Sequence, residues 1–295
     1  NILHKEYFLT ETKKGVEQTL DNIYFAIDKV MAMGHEVEAI GISCGGPLDS
    51  KTGVVMSPPN LPGWDNIPIV KLIEDRYHVK AGLQNDANAC ALAEWKFGAG
   101  KGHDNVIFLT FGTGMGSGLI LDGHLYAGTN DNAGEVGHVS LSEQGPVGYG
   151  KRGSFEGYCS GGGIAQLATT KALEMFEMNQ KPSFCDNVNS IHDISAKDVA
   201  MKALEGKEDA LEVYETSGRY LGRALSLLID ILNPEMIVIG SIFARSGELL
   251  IPAMEKEIAK EALPLASKVC KIVPAELGEN LGDYAALSIA SYIVS

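Results

Sequence analysis

The segment "LTFGTGMGSGLIL", residues 109–121, places four glycines within seven residues between two apolar runs. Apolar runs bounded by glycine are typical of buried strands, so the segment predicts a hairpin. Glycine adopts positive φ at little cost, which lets neighbouring backbone N–H groups converge on an anion. The turn therefore indicates either a phosphate-binding loop or an ordinary tight hairpin. It is neither a Walker A motif, which needs Gly-Lys-Ser/Thr, nor a Rossmann fingerprint, which opens a helix.

The residues upstream of this hairpin alternate between strand and helix patterns. An apolar segment without helical spacing predicts a strand, and apolar residues three or four apart predict a helix. The predicted order is a strand at 1–10, a helix at 13–34, a strand at 38–47, a helix at 68–79, a strand at 80–86 and a helix at 87–100. This alternation indicates α/β layers.

A second cycle starts near residue 105. Its predicted elements are a strand at 105–112, its hairpin partner at 116–128, helices between 160 and 233, a buried strand leading to a loop at 235–247, a helix at 251–263, a strand at 270–275 and a closing helix at 283–294. We place the boundary between two lobes in "KGHDN", residues 101–105. The predicted domains are a small lobe of residues 1–103, joined by the C-terminal helix at about 283–295, and a larger lobe of residues 104–282.

The charge and composition of the chain disfavour several classes of binding partner. The formal charge of −14 disfavours nucleic acid and anionic membrane surfaces, because like charges repel. No apolar run reaches the ~18 residues that a membrane-spanning helix needs, and no signal peptide is visible. The five cysteines are scattered, odd in number and without a CxxC pair. They predict reduced thiols and a cytoplasmic location.

Asp86 is the candidate acid–base residue. It stands in "QNDANACALAE", where a predicted strand meets a predicted helix. One interpretation is a helix cap, for which Asp is common. The other is a general base at an open strand end, where ligands bind in α/β folds, with the polar Asn85 beside it.

The segment "EVGHVSLSEQGPVGYGKRGSFEGYC", residues 135–159, holds three further candidates: Glu135, His138 and Glu156. Their spacing gives no HExxH motif and no cysteine pair, so support for a metal site is weak. Carboxylates and imidazole also suit sugar hydroxyls, which need both acceptors and donors. A surface charge or a satisfied loop residue remains an alternative for each.

Four segments resemble the ROK family, which groups repressors and sugar kinases of the actin-like ATPase superfamily. They are "GISCGGPLDSKTGVVMSPPNLPGW" (41–64), "QNDANACALAEWKFGAGKG" (84–102), "FLTFGTGMGSGLILDGHLYAGTNDNAGEVGH" (108–138) and "IVIG" (237–240). The resemblance implies a two-lobed actin-like ATPase fold of the ribonuclease H-like type, with a cleft between the lobes.

The resemblance also implies roles for individual residues. Asp86 would be the catalytic base. The implied sugar-binding residues are Gly46, Asn60, Asn85, Glu135, His138 and Glu156. The implied nucleotide-binding residues are Gly112, Thr113 and Gly114, as the second phosphate loop, with Gly240 and Ser241 flanking the adenosine.

One departure from the family concerns zinc. Many members carry a C-x-C-G-x-x-G-C-x-E run after the GH, whereas this chain has "VGYGKRGSFE", residues 147–156. Val147, Tyr149 and Ser154 replace the three cysteines, and neither Val nor Ser is a plausible zinc ligand. We therefore expect no structural zinc, a His138 free to bind sugar, and a loop ordered by burial of Val147, Tyr149 and Phe155. Cys159 lies five residues too late to replace a ligand and is expected to be a structural thiol.

A second departure from the family lies at the N-terminal end of the chain. The family's first phosphate loop, a D-x-G-G-T segment, does not occur in the chain, and its natural place is just upstream of Asn1. We expect the missing first strand or strands to precede Asn1, and the expectation of kinase activity depends on the native N-terminus carrying this first phosphate loop.

The leading hypothesis is an ATP-dependent kinase for a hexose or N-acylhexosamine, with ATP and Mg²⁺ bound in the cleft; family precedent favours the 6-hydroxyl. The alternative is a sugar-sensing regulator that binds without phosphorylating, and a third possibility is a homologue with a dead site. The resemblance also implies a cytoplasmic homodimer.

Overall fold

The computed structural model describes residues 2–294. Its strands are β1 (Ala39–Cys44), β2 (Leu48–Asp49), β3 (Val54–Val55), β4 (Lys80–Asn85), β5 (Val106–Phe111), β6 (Met115–Leu121), β7 (His124–Leu125), β8 (Val147–Gly148), β9 (Lys151–Arg152), β10 (Met236–Ile239) and β11 (Lys271–Pro274). Its helices are α1 (Val16–Met31), α2 (Ile69–Tyr77), α3 (Asp86–Phe97), α4 (Phe155–Tyr158), α5 (Gly161–Glu177), α6 (Ala196–Leu204), α7 (Glu208–Leu232), α8 (Ile242–Glu261), α9 (Pro264–Val269) and α10 (Leu281–Val294).

A five-stranded mixed sheet forms the centre of the larger part. Its order is β11-β10-β5-β6-β7. Strands β11, β10 and β5 run parallel, whereas β6 lies antiparallel to both β5 and β7. All four residues of β10 and most of β5 are buried. This explains their continuous apolar sequences, because a strand covered on both faces has no polar side.

A smaller sheet pairs β1 with β4 in parallel. Helix α10 returns from the end of the chain to pack on it, and two glycines make the approach possible. A Cβ on Gly41 would collide with the carbonyl oxygen of Ala286, and one on Gly82 would lie 2.9 Å from a methyl group of Ile293.

The division into lobes at residues 103 and 104 stays a prediction, and Ser295 of the predicted closing helix lies outside the described residues.

Helices α3 and α10 lie between the two sheets. One buried apolar cluster contains Leu92 of α3, Ile289 of α10, and Phe108 and Val238 of the large sheet. Strand β6 approaches α3 closely, since a Cβ on Gly118 would lie 2.5 Å from that of Ala91. This packing places the start of α3 against the glycine-rich hairpin.

A buried carboxylate fixes the end of α3. Glu94 is fully buried and accepts hydrogen bonds from the backbone N–H groups of Ala99 at 2.9 Å, Glu276 at 3.2 Å and Leu277 at 3.0 Å. The first donor lies on the connection that leads into β5, and the other two lie on the connection that leads from β11 to α10. Glu94 therefore ties together the two chain segments that join the sheets.

Two sequence-based expectations about secondary structure are wrong. Residues 2–10 form no strand, because no strand among the described residues pairs with them; Thr10 accepts a hydrogen bond from the Thr19 hydroxyl instead. Asn1 lies outside the described residues. The loop expected before residue 247 is the first part of α8, which has a kink at Ser246 and continues past Pro252. The kink at Ser246 lets a helix that begins at Ile242 include Gly247 and run on into the helix predicted from residue 251.

None of the helices that residues 2–294 form has the length and apolar character needed to cross a membrane.

Candidate functional site

A cleft of about 770 Å³ opens where β4, the β5–β6 turn and the loops after β7 meet. Most of the side chains singled out from the sequence line it. These are Gly46, Asn85, Asp86, Gly112, Thr113, Gly114, Glu135, His138 and Glu156. Residues far apart in the chain therefore form one site.

Asn85, rather than Asp86, caps helix α3. The side-chain oxygen of Asn85 accepts a hydrogen bond from the backbone N–H of Asn88 at 2.7 Å. Asp86 is the first helical residue, and one of its carboxylate oxygens accepts from the N–H of Ala87 at 2.9 Å. The helix N-terminus stabilises the charge of Asp86, and its exposed side chain lines the cleft. The interpretation of Asp86 as the cap is therefore wrong.

The glycines of the β5–β6 hairpin serve close packing. None of Gly112, Gly114, Gly116 and Gly118 has a positive φ, so the reason given for them from the sequence is wrong. A Cβ on Gly114 would lie 2.7 Å from a carboxylate oxygen of Glu156. The absence of side chains lets the hairpin approach α3 on one side and Glu156 on the other.

The hairpin in turn positions Glu156. One of its carboxylate oxygens accepts a hydrogen bond from the backbone N–H of Met115 at 2.9 Å. Glu156 stands in the first turn of α4, which Ser154 caps by accepting from the N–H of Gly157 at 3.1 Å. Its other carboxylate oxygen has no hydrogen bond from residues 2–294, and the side chain lines the cleft.

Glu135 and His138 come from one short turn. Glu135 immediately precedes the 3-10 turn Val136–His138, and His138 is its last residue. The turn packs so closely that a Cβ on Gly137 would collide with the carbonyl oxygen of Met115. Loss of solvation in the cleft raises the pKa of Glu135. The negative charges of Asp86 and Glu156 raise it further, whereas His138 lowers it. These four side chains therefore share one electrostatic environment.

Three of the proposed binding residues lie outside the lining of the cleft. Gly240 and Ser241 follow β10, and the Ser241 hydroxyl lies 3.6 Å from where a Cβ on Gly112 would be. They therefore adjoin the glycine hairpin from the side of α8. Asn60 is exposed and does not line the cleft, although its neighbour Pro59 does. The roles of all three stay predictions.

The loop from 139 to 158 is ordered differently from the expectation. Phe155 is buried at 1% exposure, but Val147 is 41% exposed and Tyr149 is 86% exposed. The expectation that Val147 and Tyr149 are buried is therefore wrong, because they stand on a small surface hairpin, β8–β9. The side chains of this surface hairpin project outward, whereas Phe155 enters the core at the start of α4.

Hydrogen bonds replace the expected burial. The Gln166 side chain both donates to the carbonyl of Val147 and accepts from its N–H, each at 2.9 Å. The buried Tyr158 hydroxyl contacts the Ser142 hydroxyl at 2.9 Å and the Gln144 carbonyl at 2.9 Å. These contacts hold both ends of the loop.

Cys159 has the environment of a structural thiol. It is fully buried, its thiol donates to the carbonyl of Ser217 at 3.5 Å, and burial raises its pKa. Among residues 2–294, no group of three or more His, Cys, Asp or Glu side chains is arranged to hold a metal ion. The absence of zinc stays a prediction.

We expect strong chelators to leave the melting temperature of the nucleotide-free protein unchanged. Val147 and Ser154 provide no zinc ligand, and the loop already has its own hydrogen bonds. As a matched control, Gln166→Leu should lower the melting temperature in the presence or absence of chelator. Elemental analysis checks the same point: one zinc per chain retained through dialysis against chelator would contradict it.

Sequence reasoning missed several polar residues of the cleft. Ser117, Asn130, Asp131 and Asn132 also line it. The buried Asp131 carboxylate accepts from the backbone N–H of Ser50 at 2.8 Å and from its hydroxyl at 2.6 Å, which ties the loop before Glu135 to the β2–β3 turn. The polar run "TNDN" beside "GEVGH" was the available signal.

The mixed sheet, the interposed helices and the cleft define an α/β protein with the actin-like ATPase fold. The chain belongs to the ROK family, whose family model matches residues 1–292.

Comparison with known proteins gives similarities to both branches of the family. The chain is 32% identical to a glucokinase from Thermotoga maritima, over 98% of this chain and 90% of that protein. It is 28% identical to a xylose repressor from Bacillus subtilis, over 93% of this chain and 66% of that protein. Its structure is similar to that of a ROK family glucokinase from Streptomyces griseus in complex with glucose and AMPPNP, with a TM-score of 0.71, 29% identity, and coverage of 94% and 88% of the two chains.

Proposed function

We propose that this protein transfers the γ-phosphoryl group of ATP to a hydroxyl group of a hexose or N-acylhexosamine. The observation that carries the proposal is the convergence of Asp86, Glu135, His138 and Glu156 on one cleft beside the glycine hairpin. The similarity to glucokinases supports the same reaction class.

Four side chains are proposed to hold the sugar. Glu135 and the free carboxylate oxygen of Glu156 accept hydrogen bonds from hydroxyl groups, and the His138 imidazole can donate or accept one. Asn85 uses its oxygen to cap α3, so its amide N–H₂ group remains to donate to the sugar. A set of side chains that includes both hydrogen-bond acceptors and donors suits a sugar, because each sugar hydroxyl can donate one hydrogen bond and accept another.

Asp86 is the proposed general base. Its exposed carboxylate can accept the proton of the sugar hydroxyl as that oxygen attacks the γ-phosphorus. The proposed acceptor is the 6-hydroxyl, on family precedent.

The nucleotide is proposed to lie between the glycine hairpin and the start of α8. Thr113 offers a hydroxyl at the turn, and Gly240 and Ser241 adjoin it. Asp86 and Thr113 present oxygen donors, the type of ligand that Mg²⁺ prefers. When bound with ATP, Mg²⁺ would neutralise charge on the phosphates.

A sugar-sensing regulator is the second candidate, and the similarity to a xylose repressor favours it. A regulator of this kind would use the same sugar-binding side chains without turnover. A cytoplasmic homodimer is also proposed, on the resemblance alone.

The two candidates are separated by measuring ADP release from the full-length protein with ATP, Mg²⁺ and a panel of hexoses and N-acylhexosamines. A kinase releases ADP in a sugar-dependent manner. Saturable sugar binding by calorimetry without sugar-dependent ADP release would instead favour the regulator.

The pKa of Glu135 predicts a pH dependence of sugar binding. Because its pKa is raised, protonation removes an acceptor at a higher pH than for an ordinary glutamate. We expect the KM for sugar to rise as pH falls through this pKa. Glu135→Gln, which does not titrate, should have a higher KM and a flatter pH profile. Parallel profiles for the two proteins would contradict the assignment.

A further inference from the structure

Tyr149 occupies a position that its backbone disfavours. It and Gly150 are the two central residues of the β8–β9 hairpin, where Gly148 pairs with Lys151. Both have positive φ, 44° for Tyr149 and 75° for Gly150. Such turns favour Asn-Gly, Asp-Gly or Gly-Gly, since a bulky side chain in the left-handed region is strained. The turn itself therefore does not explain a tyrosine.

Packing does not explain the tyrosine either. The side chain is 86% exposed. Among the described residues, its aromatic neighbour is His138, with ring centroids 6.3 Å apart and planes at 79°. A strained residue that contributes little burial is a candidate for a functional role.

Its location suggests that role. Tyr149 lines the same cleft as His138 and Glu156. The hairpin that carries it is fixed, because Gln166 makes two hydrogen bonds to Val147 and the Lys151 ammonium donates to the His138 carbonyl at 2.7 Å. The aromatic ring is thus held beside the imidazole, and the exposed side chain lines the cleft.

We propose that Tyr149 is a specificity-determining residue whose ring packs against the C–H face of the sugar that His138 binds. This rests on the function proposed above. Hydroxyl groups at the ring edge of a pyranose would meet the carboxylates and His138, while the axial C–H groups on one face form an apolar surface that suits an aromatic ring. Sugars with an axial hydroxyl on that face would be bound more weakly.

The test compares Tyr149→Asn and Tyr149→Phe with the wild type, using D-glucose as the probe in calorimetry and in the ADP-release assay. Asn suits the turn, so the melting temperature should stay unchanged or rise. We expect the Kd and KM for glucose to rise about 2- to 10-fold with Asn, as for loss of one aromatic contact, with kcat little changed. Phe, which keeps the ring, should restore wild-type values.

Each outcome has a distinct meaning. Weaker glucose binding by the Asn variant, with an unchanged or higher melting temperature and rescue by Phe, supports the proposal. Equal glucose binding by wild type and Tyr149→Asn overturns the proposal and leaves the kinase function intact. A wild type that neither binds nor phosphorylates any hexose or N-acylhexosamine of the panel overturns the proposed function, and the role of Tyr149 falls with it.

Discussion

Asp86→Asn is expected to lower kcat for sugar phosphorylation by about 10²–10⁴-fold, the usual contribution of general base catalysis. Asn keeps the shape of the side chain and can still accept a hydrogen bond from the N–H of Ala87, so helix α3 should remain intact. It cannot take the proton of the attacking hydroxyl. Sugar binding, measured by calorimetry, should survive, because Glu135, His138 and Glu156 are unchanged.

The matched control is Asp122→Asn. Asp122 is exposed at the β6–β7 turn, has a positive φ that Asn tolerates, and does not line the cleft. This variant should keep the wild-type kcat. An Asp86→Asn protein that also keeps most of its kcat would show that Asp86 serves only the start of the helix.

Glu94→Ala is expected to have the largest effect on stability. It would leave three partly buried backbone N–H groups, of Ala99, Glu276 and Leu277, without their acceptor. A fully buried donor left without an acceptor costs about 1–3 kcal/mol and a partly exposed one costs less, so the free energy of unfolding should fall by roughly 2–4 kcal/mol. Because domains are stable by only about 5–15 kcal/mol, this loss is a large share of the total, and the variant should unfold at a clearly lower urea concentration than the wild type.

Urea unfolding measures the effect, with Glu255→Ala as the control. Glu255 is an exposed glutamate within α8, so its replacement should change the unfolding free energy by less than about 0.5 kcal/mol. Glu94→Gln, which keeps one side-chain oxygen, should fall between Glu94→Ala and the wild type. Equal stability of the Glu94→Ala and Glu255→Ala variants would contradict the role assigned to the buried carboxylate.

Local sequence pattern predicted the strands of the two larger sheets and most helices of this fold, but not the two small hairpins β2–β3 and β8–β9. Strand β10 is apolar throughout and β5 is apolar except for Thr110 because both faces are covered, and that signal lies within a few residues. The family resemblance predicted which side chains meet in the cleft, because it relates residues that no local pattern connects. The fold class and family membership are confirmed.

Three features depended on contacts that local pattern does not contain. The donors to Glu94 at Glu276 and Leu277 lie about 180 residues away in the chain, so nothing near "LAEW" indicated its burial. Asn85 and Asp86 are both good helix caps, and only the position of the helix start decided between them. Hydrophobicity alone did not distinguish the buried Phe155 from the exposed Tyr149.

The most direct test of the account is to identify the product. The full-length protein is incubated with ATP, Mg²⁺ and the sugar that stimulates ADP release most, and the products are quantified by phosphorus NMR and mass spectrometry. The account predicts one sugar phosphate for each ADP, and almost none with Asp86→Asn. ADP formed with inorganic phosphate and no sugar phosphate, or sugar bound without any ADP, would contradict it.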